Sequence, residues 1–178
     1  PGGALMPSTY HVTPLSRGLL PGERSPPIEF GETVFAVDIC FENLLPHLIR
    51  NQINGMRDEG VEPDVMVNVT NDGWFWGSSE LDMHLACAVF RAVEQRKPML
   101  VAANTGFSAS IDADGRRLAV GPRRDTDVLV VEPKIDARRS VYARIGDAPA
   151  WIAVVLCLAL AASGRGWLER WFRRQPQA

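Results

Sequence analysis

Short apolar runs and helical patterns alternate along the middle of the chain, between residues 33 and 131. The apolar runs predict five strands, at residues 33–39, 64–70, 99–104, 107–112 and 128–131. Apolar side chains recur at helical spacing over residues 43–58, with Pro46 in the first turn, and again over residues 79–96. Ser78 or Ser79 would cap the second helix, and Lys97-Pro98 would stop it. This alternation predicts an α/β domain over residues 31–146, with a hairpin turn at Asp114-Gly115.

The start of the chain lacks this periodicity. Residues 1–30 are rich in proline and glycine, which predicts an irregular loop region. The chain begins at Pro1 with neither an initiator methionine nor a secretory signal, so we expect it to be a piece of a longer protein.

Residues 148–164 carry no charge and are followed by Arg165, Arg170, Arg173 and Arg174. A helix of that length spans about 25 Å, slightly less than the ~30 Å hydrocarbon core of a bilayer. Trp151 and Trp167 lie near its two ends, where aromatic rings favour the headgroup level. We predict one transmembrane helix over residues 147–168 and a basic cytoplasmic tail over residues 169–178. A buried core helix is the alternative for a run this short.

Composition and charge exclude several classes of function. The chain is 46% apolar and 22% charged, as in an ordinary globular domain, and its net charge of -2 leaves no broad basic surface for nucleic acid. Its histidines, at positions 11, 47 and 84, and its cysteines, at positions 40, 87 and 157, lack the spacing of a metal site or a disulfide framework. We expect neither a metal nor a cofactor.

Polar or reactive side chains follow three of the predicted strands. Cys40 ends the first strand and is followed at once by Phe41-Glu42, while Asn71-Asp72 and Asn104-Thr105 follow two later strands. The carboxyl ends of parallel strands meet at one edge of a sheet, so these residues should converge. A thiol at the start of a helical turn suits a nucleophile, since the helix dipole favours the thiolate. Turn formation and, for Cys40, inert packing are the alternative interpretations.

The motifs occur in a specific order. Asp38-Ile39-Cys40-Phe41-Glu42 comes first, then Asn68 to Phe75 (NVTNDGWF), then His84 and Phe90 to Glu94 (FRAVE) on the helix, then Ala103 to Ala109 (ANTGFSA), then Asp112 to Gly115 (DADG). In this order and spacing the chain resembles the apolipoprotein N-acyltransferases of bacteria, a membrane-bound branch of the nitrilase superfamily. The resemblance covers roughly residues 15 to 165.

The resemblance implies a nitrilase-like α-β-β-α sandwich, present here in part, with a Glu-Lys-Cys triad whose cysteine matches Cys40. It implies that the thiolate takes a fatty acyl group from a phospholipid as a thioester. The acyl group then passes to the N-terminal amine of the diacylglyceryl-cysteine of an apolipoprotein. Glu42 matches a functional glutamate that would orient or deprotonate this amine; a carboxylate favoured in the first helical turn is the alternative.

Further binding roles and a location follow from the same resemblance. Phe41 and the strand-end residues Asn71, Asp72, Asn104 and Thr105 would line the substrate site. Trp74 and Phe75, with Trp76, would dip into the bilayer or line the acyl entry, unless they form a local hydrophobic plug. The full protein would span the bacterial inner membrane several times, with a periplasmic catalytic domain and a cytoplasmic C-terminus.

The chain departs from the family pattern in its lysines. None precedes Cys40, because Lys97 and Lys134 are the only two, so we expect the triad lysine and glutamate upstream of this chain. An anchored carbon-nitrogen hydrolase and a non-catalytic membrane-anchored homologue are the alternatives. His84 is expected to be a satisfied structural histidine, Arg91-Glu94 a surface pair, and Cys87 and Cys157 packing residues on helices.

Overall fold

The computed structural model describes residues 24–75 and 78–172, with side chains as far as residue 163. It contains strands β1 (Ile28–Phe30), β2 (Thr33–Ile39), β3 (Val65–Asn71), β4 (Met99–Asn104), β5 (Ala109–Ile111) and β6 (Arg117–Val120). Its helices are α1 (Pro46–Asp58), α2 (Glu80–Gln95), α3 (Val141–Ile145) and α4 (Ala148–Phe172). Two 3-10 turns, Cys40–Leu44 and Asp72–Phe75, follow β2 and β3.

The six strands form one sheet in the order of the chain. Strands β2, β3 and β4 are parallel, with Ala36 beside Met66 and Met66 beside Met99, whereas the outer strands pair antiparallel. The crossovers between parallel strands are α1 and α2, as a βαβ connection requires. The ends of β2, β3 and β4 therefore lie side by side at one edge of the sheet.

Both crossover helices pack on the same face of the sheet. Helix α1 buries Ile49, Ile53 and Met56, which are spaced by four and three residues and so form one stripe. The matching stripe of α2 consists of Leu81, Leu85, Ala88 and Ala92. These side chains form the core with strand residues Ala36, Met66, Met99, Val101, Ala109 and Ile111. The predicted α/β organisation is confirmed, as one sheet with one layer of helices.

Several predicted boundaries were wrong. Residues 28–30 form a strand instead of a loop. Gly31 adopts a φ of +63°, which allows a tight turn from β1 into β2, and the two strands pair antiparallel. The predicted strand at residues 128–131 is irregular, with exposed and half-buried residues alternating; the chain turns at Gly115 and pairs residues 117–120 with β5 instead. The first helix begins at Pro46, after the 3-10 turn. The other part of the predicted loop, residues 1–23, lies outside the described residues.

The C-terminal helix α4 extends away from the core, and its side chains are exposed from Ala148 to Ser163. Cys157 is exposed too, so the prediction that it packs against other residues was wrong. Within the described part of the chain, we find no helix with the length and apolarity needed to cross a bilayer. Residues 173–178 of the predicted tail lie outside the described residues.

Candidate active site

Cys40 lies where β2 gives way to a 3-10 turn. Its φ is +52°, a left-handed conformation that residues other than glycine seldom adopt. Thr105, at the end of β4, also has a positive φ of +76°, although its β-branched side chain disfavours that region. Unusual backbone conformations of this kind cluster at functional sites, since surrounding contacts must hold them. Two of them therefore occur at the same edge of the sheet.

The three predicted strand ends do come together. Residues Asn71 and Asn104 are register partners, and the side-chain amide of Asn104 donates to Asn71 Oδ1 at 3.2 Å. The same Asn71 oxygen accepts the backbone N–H of Gly73. Thr105 donates to Asn104 Oδ1 at 3.4 Å. The ends of β3 and β4 thus meet as predicted, and the end of β2 that leads to Cys40 lies beside β3 through the pairing of Ile39 with Val69. The roles of these residues toward a substrate stay predictions.

The edge of the sheet where β2, β3 and β4 end is called the rim below, and its exposed part is aromatic and polar. Phe41 is exposed beside Cys40, Trp74 is 81% exposed, and Phe75 is half-buried. A polar cavity of about 220 Å³ opens at Asn104 and Thr105, with Asp125 and Asp127 also lining it. Trp76, the third predicted aromatic residue, lies outside the described residues.

Glu42 folds back onto the strand that precedes it. Its Oε2 accepts the backbone N–H of Ile39 at 2.7 Å, at the start of the 3-10 turn. This contact supports the alternative interpretation of Glu42 as a carboxylate favoured in the first helical turn. It also fixes the orientation of that carboxylate, which belongs to a residue two positions after Cys40.

Asp72 is 2% exposed, so its side chain supports the rim from the interior and does not face solvent. Its Oδ1 accepts the Thr70 hydroxyl at 2.7 Å and lies 2.9 Å from His84 Nδ1. Burial raises the pKa of Asp72, but the hydrogen bonds from His84 and Thr70 outweigh it and lower that pKa overall. Asp72 is therefore ionised at neutral pH.

His84 connects Asp72 to the Cys40 backbone. Its Nε2 lies 3.2 Å from the Cys40 carbonyl oxygen, and its side chain is buried on α2. Burial lowers the pKa of His84, but the hydrogen bond and charge of Asp72 raise it above the ordinary value. The expectation of a satisfied structural histidine is confirmed, and the contact with Cys40 places it directly behind the candidate nucleophile.

A second buried pair reaches the same carbonyl oxygen. Asn68 uses its two amide hydrogens on Asp38 Oδ1 and on the Cys40 carbonyl, the latter at 3.3 Å. Burial raises the pKa of Asp38 to about 7. Both residues lie within the sequence motifs, where neither has a predicted role, although a polar side chain inside each of two apolar strands was a usable signal.

Arg91 also supports the Cys40 turn. It is 5% exposed, and it donates to the Asn43 carbonyl at 3.3 Å and to Glu94 at 2.8 Å. The prediction of a surface pair was wrong for Arg91, because its guanidinium is enclosed between α2 and the turn. Cys87, on the same helix, is half-buried, and burial raises the pKa of its thiol.

The one lysine near the core lies at the other end of the sheet. Lys97 precedes β4, is 1% exposed, pairs with Glu62 at 2.8 Å and donates to the Asp136 carbonyl. Burial raises the pKa of Glu62, but hydrogen bonds from Arg57 and Lys97 lower it to about 2. Cys40 follows the carboxyl end of the seven-residue strand β2, at the opposite edge, so Lys97 does not supply the triad lysine.

The chain is similar to several known proteins. The family model described as carbon-nitrogen hydrolase matches residues 5–142. The apolipoprotein N-acyltransferase of Geobacter metallireducens is 36% identical over 143 residues, and that of Rhodopirellula baltica is 34% identical over 172 residues. These matches cover 80% and 93% of this chain but only 26% and 29% of the two relatives. The structure of Saccharomyces cerevisiae Nit3, of branch 10 of the nitrilase superfamily, has a TM-score of 0.49 at 20% identity, covering 63% of this chain and 42% of Nit3.

Proposed function

Since this chain belongs to the carbon-nitrogen hydrolase family, we propose that it carries the nucleophile of an apolipoprotein N-acyltransferase. The observation that carries the proposal is Cys40 itself. It is a free, half-buried cysteine held in a left-handed turn at the rim where three parallel strands end. The names of the two relatives favour acyl transfer over hydrolysis.

The proposed reaction has two steps, formation of a thioester on Cys40 and its aminolysis. In the first, the Cys40 sulfur attacks the ester carbonyl of a phospholipid, a C–S bond forms, the ester C–O bond breaks, and a lysophospholipid leaves with a proton. In the second, the N-terminal amine of a diacylglyceryl-cysteine attacks the thioester, a C–N bond forms, the acyl C–S bond breaks, and the proton lost by the amine returns to the Cys40 sulfur as the free thiol. The triad glutamate and lysine are supplied by the part of the protein that precedes this chain.

The rim residues have distinct proposed roles. Glu42 lies two residues past the nucleophile and orients the attacking amine or takes its proton, while one of its oxygens remains on the Ile39 N–H. Exposed Phe41 and Trp74, with half-buried Phe75, offer the apolar surface that an acyl chain needs. The polar edges of Asn71, Asn104 and Thr105 border the acceptor side, and Asp72 holds this rim in place.

We propose a membrane-anchoring role for helix α4. Its exposed apolar side chains include Trp151, Leu156, Leu158 and Leu160, which have no partner layer in the described part of the chain. We propose that α4 inserts into the bacterial inner membrane, one of several spans in the full protein. The arginines after residue 164 would put the C-terminus in the cytoplasm and the catalytic domain in the periplasm.

The test compares wild type, C40A and C87A in the full-length protein, incubated with phospholipid carrying a labelled acyl chain. We expect a hydroxylamine-sensitive acyl adduct on Cys40 in wild type and in C87A, and none in C40A. Addition of a diacylglyceryl lipopeptide should move the label to its α-amine. Release of free fatty acid with no acylated peptide would establish the hydrolase alternative instead, and labelling that survives in C40A would overturn the assignment of the nucleophile.

A further inference from the structure

The backbone of Cys40 is held from behind by two buried side chains. Its carbonyl oxygen lies within hydrogen-bond distance of the Asn68 amide and of His84 Nε2, at 3.3 and 3.2 Å. These donors come from β3 and from α2, so two different elements fix one carbonyl group. Because the φ of Cys40 lies in the disfavoured left-handed region, such contacts are what keeps it there.

The partners of His84 determine its protonation. Nε2 faces a carbonyl oxygen, which can only accept, and Nδ1 faces the Asp72 carboxylate, whose Oδ1 already accepts the Thr70 hydroxyl. A neutral imidazole has one N–H and one lone pair, so it would leave one of these acceptors facing a lone pair. Only the doubly protonated ring satisfies both neighbours. The arrangement therefore contains an imidazolium–carboxylate pair behind the nucleophile.

We propose that His84 is a positioning residue that acts through Cys40, held as an imidazolium by Asp72 so that it donates to the Cys40 carbonyl oxygen and fixes the nucleophile's turn. The proposal rests on the proposed role of Cys40 as nucleophile. It adds a function for Asp72 and His84 that is separate from substrate contact.

The charged groups around His84 come from four elements: β2, the Cys40 turn, the turn that follows β3, and α2. Asp72, after β3, and Asp38, on β2, are the acidic groups that interact with its ring. Glu42, in the Cys40 turn, and Arg91, on α2, interact in turn with Asp38. Asp72 alone among these is hydrogen-bonded to the ring, so its charge is the one to change.

The variant Asp72→Asn tests whether the charge of Asp72 keeps His84 protonated. An asparagine can keep its oxygen in place to accept from Thr70 and from Nδ1, but it removes the charge that favours the imidazolium. Burial then lowers the pKa of His84. Above that pKa the ring keeps its proton on Nδ1 and turns a lone pair toward the Cys40 carbonyl, so the positioning contact is lost as pH rises.

The measurement is the rate of acyl-thioester formation on Cys40 in the full-length protein, for wild type and D72N, from about pH 5.5 to about pH 8.5. Taking the ratio of the two rates cancels the ionisation of the thiol itself. We expect the ratio to stay within about twofold of one at acidic pH and to fall by about tenfold or more at alkaline pH. The half-saturating phospholipid concentration should not change.

Two further variants complete the design. Histidine replacement, H84L, should lower the maximal rate at every pH without raising the half-saturating lipid concentration. Gln95→Leu is the control, since Gln95 is fully buried on the same helix and neither polar atom of its side chain has a partner. Q95L should leave the rate unchanged.

The outcomes distinguish a failure of the positioning role of His84 from a failure of the proposed role of Cys40 as nucleophile. A D72N-to-wild-type ratio that is constant across pH, whether reduced or not, overturns the positioning role, because loss of fold alone has no such pH dependence. Absence of a Cys40 thioester in wild type at every pH overturns the proposed function first. A ratio that falls with rising pH, with Q95L unaffected, establishes the role of the Asp72–His84 pair.

Discussion

Gly106 follows β4 and lies directly against the Asp72 carboxylate. A Cβ built at this position would be 2.0 Å from Asp72 Oδ2 and 2.9 Å from Asp72 Cγ, whereas ordinary contacts between heavy atoms are about 3.5–4.0 Å. The φ of Gly106 is not in the left-handed region, so close approach and not backbone strain requires glycine here. The substitution Gly106→Ala must therefore push the Asp72 side chain away by more than an ångström.

That displacement has a calculable cost. Asp72 would lose its charged hydrogen bond with His84 at 2.9 Å and its bond from Thr70 at 2.7 Å. Both bonds involve the ionised Asp72 carboxylate, and a hydrogen bond to a charged group contributes about 1.5–3 kcal/mol, so we expect G106A to lower the free energy of unfolding by about 3–6 kcal/mol. It should also slow acyl-thioester formation, because His84 loses the partner that keeps it protonated.

Gly121→Ala provides the matched control. A Cβ at Gly121 would meet its nearest atom, the Ser108 carbonyl oxygen, at 3.5 Å, which is an ordinary contact. We expect its free energy of unfolding to stay within about 0.5 kcal/mol of wild type. Denaturant titration of the three proteins in the same detergent makes the comparison. If G106A unfolds at the same denaturant concentration as G121A, the geometry at Asp72 has been misread.

Two further predictions concern buried charges at opposite edges of the sheet. Asp38 has a folded pKa of about 7 against an ordinary value of 3.8, so the folded state holds this proton more tightly and stability falls as pH rises between those values. D38N should flatten this decline and raise the free energy of unfolding at pH 8 by up to ~4 kcal/mol, measured by denaturation at pH 5 and pH 8; an unchanged pH dependence would contradict it. Lys97→Met keeps the buried volume but removes the bonds to Glu62 and to the Asp136 carbonyl, and should cost about 1–3 kcal/mol in the same assay. Replacement of exposed Lys134 by Met should cost less than about 0.5 kcal/mol, and equal effects of the two would show that the Lys97 contacts add nothing.

The periodic pattern and the order of the motifs already determined the principal features of the site. Apolar runs separated by helices require parallel strands, and parallel strands bring their carboxyl ends to one edge. Cys40, Asn71 and Asn104 could therefore be placed together from the sequence, because each lies at or next to the carboxyl end of a predicted strand. The position of Glu42 relative to Cys40 is equally local, since two residues separate them.

Tertiary structure alone decided which polar side chains are buried and what they bind. Asp38 and Asn68 are 30 residues apart and become neighbours only through the register of β2 on β3. The contact of His84 with the Cys40 carbonyl spans 44 residues and depends on how α2 packs on the sheet. A helical pattern predicts which face of the helix a residue lies on, but not which other element packs against that face. Arg91 was therefore expected at the surface, whereas the structure buries it. The last strand is a similar case: residues 118–120 and 128–131 are both short apolar runs, and only pairing with β5 selects the segment that contains the first.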